Sequence, residues 1–276
     1  MADSPITTLN NGVQIPQLGF GVWRVSNDAS IPAVTKALDV GYRHIDTAAL
    51  YRNEEGVGEA IRASGVPRED IFVTTKLWPS DFGRESAVDG FESNLKRLGL
   101  EYVDLFLLHW PAPGRDLYVE TWQALEQLVA DDDRVRAIGV SNFAVEHLRR
   151  LADETDTLPA LNQIELHPTL TQRELRAIHR ELGIATEAWS PLGQSDDLRN
   201  PTIRAIAERV GRRPAQVVIR WHLQIGNIVI PKSTTPSRIE ENFDVFDFEL
   251  SAEDIEAIEG LDAGNRLGPD PRHFDG

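Results

Sequence analysis

Eight apolar runs alternate with amphipathic stretches along 276 residues, and no Pro/Gly/Ser-rich linker interrupts them. These observations predict an α/β chain, a (β/α)8 TIM barrel with an N-terminal β-hairpin and extra helices, as one barrel domain over residues 1–276. Strands that alternate with helices pair in parallel through right-handed crossovers, and eight such units close on themselves. The competing architecture, an open doubly wound sheet, usually carries G-x-G-x-x-G after its first strand. Here the first run is "LGFGVW", and its G-x-G is followed by Trp23 rather than by a third glycine opening a helix.

The elements follow in chain order. "TLNNGVQIPQLG" predicts a hairpin turning at Asn11-Gly12. The strand-like runs are "LGFGVW", "YRHIDTA", "IFVTTKL", "VDLFLLHW", "VRAIGVS", "ALNQIEL", "IATEAWSPL" and "NIVIPKS". Between them, "SIPAVTKALDVG", "ESAVDGFESNLKRLG", "YVETWQALEQLVADD" and "TQRELRAIHRELG" show helical spacing, mostly with glycine stops. "PTIRAIAERVG" and "PAQVVIRWHLQIG" predict two helices before the last strand, and "SAEDIEAIEGL" one after it.

Composition narrows the function. The chain has no cysteine, so disulfides, thiol catalysis and cysteine metal sites are excluded. No run is long and apolar enough for a membrane helix, and the opening "MADSPITTLNNG" lacks the features of a secretory leader, so a cytoplasmic protein is expected. Asp and Glu number 44 against 28 Lys and Arg, a net charge of −16 that disfavours nucleic acid and anionic membranes as partners. Only Lys36, Lys76, Lys96 and Lys232 are lysines. An acidic, lysine-poor surface points to a halophilic setting in which dense salt screens self-repulsion. Lys36 and Lys96 fit exposed helix positions, whereas Lys76 and Lys232 each end an apolar run.

In a barrel the site gathers at the C-terminal strand ends. Those ends carry Asp46, Lys76, His109, Ser141-Asn142, Asn162-Gln163, Trp189-Ser190 and Lys232-Ser233. Tyr51 follows Asp46 by five residues. A phenol has a pKa near 10, and a neighbouring ammonium lowers it. Asp46 would fix the position of Lys76 and keep it charged, Lys76 would lower the pKa of Tyr51, and His109 would orient a carbonyl. The set suits proton donation to an oxyanion formed when a carbonyl carbon is attacked. With no protein nucleophile at hand, the attacker is a hydride from a cofactor. "ELH" at Glu165–His167 offers two metal ligands without a third, so no metal is expected and His167 is read as loop packing. His44, His147, His179, His222 and His273 show no evident partners and are read as structural or surface residues.

The chain resembles the aldo-keto reductases over essentially its whole length, through "GYRHIDTAALYRNEEGVGEAI", "TTKLW", "VDLFLLHWP", "IGVSNF", "NQIELHP" and "IPKSTTPSRIEEN". "EEGVG", "WSPLGQ" and "ENFDVFDFEL" bring it nearest in appearance to the bacterial 2,5-diketo-D-gluconate reductase group. The resemblance implies NADPH-dependent reduction of aldehydes or ketones to alcohols, with the cofactor extended across the rim. It implies Tyr51 as proton donor, Lys76 and Asp46 as the pair that tunes it, and His109 as the residue that orients the substrate. By the same resemblance Ser141, Asn142 and Gln163 bind the nicotinamide carboxamide and Trp189 stacks on its ring. Ser190, Leu192 and Gly193 would line the pyrophosphate, and Glu241 and Asn242 the adenine.

"KSTTPSRIEEN" also carries a physical argument. Thr235 is a suitable N-cap, Pro236 suits the first helical position, and a helix N-terminus attracts phosphate. Lys232 and Arg238 add two cations, and Ser233 and Thr234 add hydroxyl donors, which favours NADPH (NADP+) over NADH. Trp23, Trp78 and Trp110 at strand ends suggest walls of an apolar substrate pocket with His109. The tail "NRLGPDPRHFDG" is expected to fold over the same mouth. A small-molecule carbonyl substrate and a monomer are expected. Two rivals differ in class: a non-catalytic nicotinamide-binding sensor or regulatory subunit, and a barrel isomerase or lyase without nicotinamide. The filled catalytic positions count against the first, and the carboxamide-binding trio against the second.

Overall fold

The computed structural model describes residues 4–276. Strands β1 (Ile6–Thr8) and β2 (Gln14–Pro16) form the antiparallel hairpin, turning through Gly12 at φ +87°. Eight parallel strands then follow in chain order: β3 (Phe20–Gly21), β4 (His44–Asp46), β5 (Phe72–Leu77), β6 (Leu105–Leu108), β7 (Ile138–Ser141), β8 (Leu161–Glu165), β9 (Ala185–Trp189) and β10 (Ile228–Val229). Each pairs with its sequence neighbour. Leu18 bridges Val229, and Gly19 N–H donates to the Val229 carbonyl at 2.9 Å, so the first and last strands meet and the barrel closes.

The helices are α1 (Asn27–Val40), α2 (Glu54–Ala63), α3 (Arg84–Leu98), α4 (Tyr118–Asp131), α5 (Val145–Glu154), α6 (Arg173–Leu182), α7 (Pro201–Val210), α8 (Pro214–Gln224), α9 (Pro236–Phe243) and α10 (Ala252–Glu259). None is long and apolar enough to cross a membrane. α2 contains two glycines, which a propensity argument would count against it. Packing explains them: a Cβ on Gly58 would lie 1.7 Å from the Leu98 carbonyl oxygen, so only glycine lets α2 approach the end of α3.

Alternate strand residues point to opposite faces. Ile45, Val73, Phe106, Ile138, Ile164 and Ala188 belong to the apolar layer beneath the helices. Their neighbours face the barrel interior. At its N-terminal end Phe72, Leu105, Leu161 and Ile228 pack against Leu9 and Ile15 of the hairpin segment, which plugs that end. Toward the C-terminal end the same face turns polar, with His44 and Asp46, Thr74 and Lys76, Gln163 and Glu165, and Glu187 all buried. The interior is therefore apolar below and charged above, and the charged half lies under the rim.

Candidate active site

Lys76, on β5, is completely buried, and its ammonium is held on three sides. It donates to Asp46 Oδ1 at 2.7 Å, to Asp46 Oδ2 at 2.8 Å and to the Thr47 carbonyl at 2.8 Å. Tyr51, raised over the rim by a one-turn helix after β4, sets its ring centroid 5.1 Å from Lys76 Nζ. The His109 ring lies 5.6 Å from the Tyr51 ring and 5.1 Å from the Trp78 ring, edge to face in both cases. The four residues expected at one rim therefore converge, although they come from three strands and a loop.

Burial would lower the Lys76 pKa, but Asp46, Tyr51 and Glu187 outweigh it and hold the ammonium above its ordinary value. Tyr51 departs from the sequence expectation. Its ring is only partly covered, yet the protein around the phenol pushes its pKa up to about 12. Lys76 opposes that rise without cancelling it, because its charge is largely neutralised by Asp46. Burial, then the Lys76 charge, drives His109 well below the ordinary histidine range, so its imidazole is neutral. His109 Nδ1 is buried without a partner. An unpaired acceptor is the cheaper case, so the N–H belongs on Nε2, where it can donate.

Ser141, Asn142, Gln163 and Trp189 form one connected net. Ser141 Oγ donates to the Gln163 carbonyl (2.9 Å), and Asn142 Nδ2 donates to the His109 carbonyl (2.9 Å) and to Ser141 Oγ (3.0 Å). Trp189 Nε1 donates to Asn142 Oδ1 at 2.8 Å, which fixes the plane of the indole. Asn142 and Ser190 both adopt left-handed backbone at φ +65° and +48°, the kind of local strain that gathers at functional rims. Gln163 directs Nε2 inward, to Asp46 Oδ2 and to Glu187 Oε2, both at 2.8 Å. Its own Oε1 has no protein hydrogen bond among the described residues.

Farther round the rim, α9 begins at Thr235 with Pro236 in the first turn, and Lys232, Thr234 and Arg238 are exposed beside it. Among the described residues neither Lys232 nor Arg238 has an ion-pair partner. Ser233, buried, accepts from Thr235 N–H at 3.1 Å, and Asn242 is buried with Glu241 half-exposed. Ser190, Leu192 and Gly193 lie in the turn after β9. On the substrate side Trp110 is buried and Trp78 half-buried, while Trp23 is more open, with the Arg24 guanidinium 4.2 Å from its ring.

The tail reaches the mouth as expected and supplies a wall the sequence did not single out. Phe274 lies 4.5 Å from the Trp110 ring and 6.3 Å from that of Trp78. Asp275 accepts from Gly114 N–H at 2.7 Å, which pins the end of the chain. Gly268 lies so close to Trp189 that a Cβ there would be 2.6 Å from the indole.

The histidine expectations need correction. His167 is more than loop packing: its buried ring bridges Asp197 (2.9 Å) and Glu165 (3.1 Å), and Glu165 accepts from the tail N–H groups of Leu267 (2.6 Å) and Gly268 (2.9 Å). His44 contacts Thr74, His147 caps α5 at Ala144, His179 joins Asn162 to Thr186, and His222 meets the Pro191 carbonyl and Asn227, so these four do have partners. Lys36 is a half-exposed helix residue paired with Glu240 of α9. Glu187 was missed as well. The available clue is a carboxylate two residues before Trp189, and therefore on the same face of the strand.

The site thus sets a buried lysine–carboxylate pair beside a phenol at the C-terminal mouth of a (β/α)8 barrel. The aldo/keto reductase family model matches residues 17–263, and the chain belongs to this family. It is 58% identical over 271 residues, 98% of each chain, to an aldo-keto reductase of Mycolicibacterium smegmatis. It is 51% identical over 280 residues, 100% of each chain, to the methylglyoxal reductase DkgA of Escherichia coli. The crystal structure of an aldo/keto reductase from Brucella melitensis matches with a TM-score of 0.91 and 56% identity, covering 94% of this chain and 100% of that one. A mutant of Gox0644 in complex with NADPH matches with a TM-score of 0.95 and 46% identity over 99% of both chains.

Proposed function

We propose that the chain reduces aldehydes or ketones to alcohols with NADPH, and that Tyr51 donates the proton. It is an NADP-dependent oxidoreductase. The observation that carries the role of Tyr51 is the fully buried Lys76–Asp46 pair placed 5.1 Å under its ring at the barrel mouth. Bound NADPH supplies the hydride. Tyr51 enters the reaction as a neutral phenol, its pKa raised by burial, and passes its proton to the carbonyl oxygen as negative charge develops there. Lys76 then stabilises the phenolate left behind. His109 donates from Nε2 to the same carbonyl oxygen and holds its lone pair toward Tyr51.

The residues present fit the cofactor. Gln163 Oε1, without a protein donor, suits the amide N–H of a nicotinamide carboxamide, with Ser141 and Asn142 beside it. Trp189, locked in plane by Asn142, offers a flat face for the ring. Ser190, Leu192 and Gly193 follow the pyrophosphate, and Glu241 and Asn242 take the adenine. Lys232 and Arg238, without carboxylate partners, meet a 2′-phosphate with Ser233, Thr234 and the α9 N-terminus. Replacing Arg238→Ala is expected to raise KM for NADPH roughly 10- to 100-fold, the loss of one charge-assisted contact, with KM for NADH nearly unchanged. Equal effects on the two cofactors would refute the assignment.

Trp23, Trp78, Trp110 and Phe274 make an apolar pocket over His109, suited to small carbonyl compounds such as α-dicarbonyls or sugar-derived ketones; the methylglyoxal reductase relative supports the former. A panel of aldehydes, methylglyoxal and keto sugars, followed by loss of NADPH absorbance, tests this, with Tyr51→Phe as control. Turnover of none of them would sink the reading. The same proposal places the enzyme in a cytoplasm rich in salt, as a monomer acting on a small molecule with no nucleic-acid or membrane partner.

A further inference from the structure

The barrel interior holds one carboxyl group for which the reaction above has no use. Glu187, on β9, is fully buried between Gln163 and His44. A count of donors around it is informative. Lys76 directs its hydrogen bonds to Asp46 and Thr47, and none reaches Glu187. Gln163 gives one of its two to Asp46 Oδ2 and the other to Glu187 Oε2. Nothing remains for Glu187 Oε1, which is buried and has no hydrogen-bond partner. An ionised carboxylate in that position would have one oxygen undonated and a second carboxylate sharing its only amide donor, and both features are costly. A proton on Oε1 turns the orphan acceptor into a donor. His44 Nε2 stands 3.6 Å away, beyond hydrogen-bond reach and already in contact with Thr74 Oγ1 at 3.3 Å, and burial drives the His44 pKa down to about 3, so that ring is neutral and offers the carboxyl no cation.

We propose that Glu187 is a positioning residue that carries a proton inside the barrel, and that this neutral acid, with Asp46, turns both N–H bonds of Gln163 inward and leaves Oε1 for the nicotinamide carboxamide. The part concerning the carboxamide rests on the reductase reading; the proton on Glu187 does not.

The surroundings agree. Facing Glu187 are His44 and Asp46 from β4, Thr74 and Lys76 from β5, Gln163 from β8 and Tyr51 above; Ile228, its neighbour on β10, brings no charge. Burial, then the Asp46 charge, pushes the Glu187 pKa up to about 8, with Gln163 and Lys76 opposing. Below that pH the acid is neutral and Gln163 is shared between one anion and one neutral partner. Above it, a second negative charge appears beside Asp46 and is one of the contributions that raise the Tyr51 pKa, which makes the phenol a poorer donor.

Infrared difference spectra of the cofactor-free protein, taken at about pH 6 and about pH 10 on either side of the Glu187 transition, test the proton directly. The wild type is expected to show a buried carboxylic-acid carbonyl band, sensitive to D2O, that disappears at the higher pH. Glu187→Gln should lack the band at both. A band that persists unchanged in Glu187→Gln puts the proton on another buried carboxyl, Asp46 or Glu54, and no band in the wild type makes Glu187 ionised; either result overturns the assignment.

NADPH titrations followed by tryptophan fluorescence test the positioning. Glu187→Gln, which mimics the neutral acid, should bind within about twofold of wild type at the lower pH and lack the alkaline weakening expected of wild type. Glu187→Ala, checked for folding by circular dichroism, should bind roughly tenfold more weakly at both pH values, the cost of one hydrogen bond to the amide. Equal affinity in all three proteins overturns the positioning role. Absence of NADPH binding in the wild type contradicts the reductase reading, while the infrared band alone decides the proton.

Discussion

Lys76 anchors the buried charges of the barrel mouth. Its ammonium has no water-facing side and three protein acceptors, so removing it leaves Asp46 buried with only the Gln163 amide. Lys76→Met is therefore expected to cost about 3–5 kcal/mol in urea unfolding, the range for breaking one side of a buried ion pair. A loss below about 1 kcal/mol, as for a surface pair, would contradict the burial assigned to it. The placement of Asp46, Tyr51, Lys76 and His109 was legible because polar residues ending otherwise apolar strands stand out. The direction of the Tyr51 shift was not. It depends on how much protein surrounds the phenol and on Asp46 neutralising Lys76, neither of which spacing reveals. Glu187 is a similar case: inside "IATEAWSPL" it looks like an ordinary polar residue of a half-exposed strand, and only barrel closure buries it.

At the scale of elements, the tail is held by a clasp that depends on pH. Glu165 on β8, His167 and Asp197 link the β8 end to the turn after β9, and Glu165 grips Leu267 and Gly268. Burial alone would lower the His167 pKa, but Asp197 and Glu165 outweigh it and raise the value above 6.5. Its stabilisation is thus complete below the unfolded value and fades as pH rises through the raised one. Burial would raise the two carboxyls, but His167, tail N–H groups and Thr169 hold both below their ordinary 4.5 and 3.8. Their contribution is complete above those values and fades as pH falls through the lowered ones. Hydrogen exchange at the Leu267 and Gly268 amides, after correction for intrinsic rates, should show greatest protection at about pH 5–6.5 and weaker protection on both sides. Protection flat from acid to alkali would remove the clasp. The barrel strands were legible from their apolar runs; α2 was not singled out, because its glycines answer to the Asn27 and Leu98 carbonyls, contacts between distant parts of the chain.

Over the whole molecule the net charge of −16 opposes compaction, and the visible ion pairs do little against it. Many of them join half-exposed arginines to surface carboxylates, as in Arg134 with Glu92 and Arg150 with Glu154, and such pairs contribute little each, while others anchor buried carboxylates such as Glu54 and Asp104. If the acidic surface is an adaptation to salt, the melting temperature should climb as KCl rises from dilute buffer toward molar concentration, because screening weakens the self-repulsion. A melting temperature independent of KCl would end the halophilic proposal and leave the surface as ordinary solubility. Charge and the missing lysines were open to view in the sequence, and so was the barrel. The pocket wall at Phe274 was hidden, since an aromatic three residues from the chain end acquires its place only when the tail folds back across the rim.

The central claim is that Tyr51 gives its proton to a carbonyl oxygen while the rest of the rim binds NADPH, and one paired measurement tests it. Tyr51→Phe removes a hydroxyl and nothing else. With a good aldehyde substrate it should lower kcat by about 100- to 10,000-fold while the dissociation constant for NADPH stays within about twofold of wild type. Turnover undiminished in Tyr51→Phe, with NADPH still bound, would contradict the account.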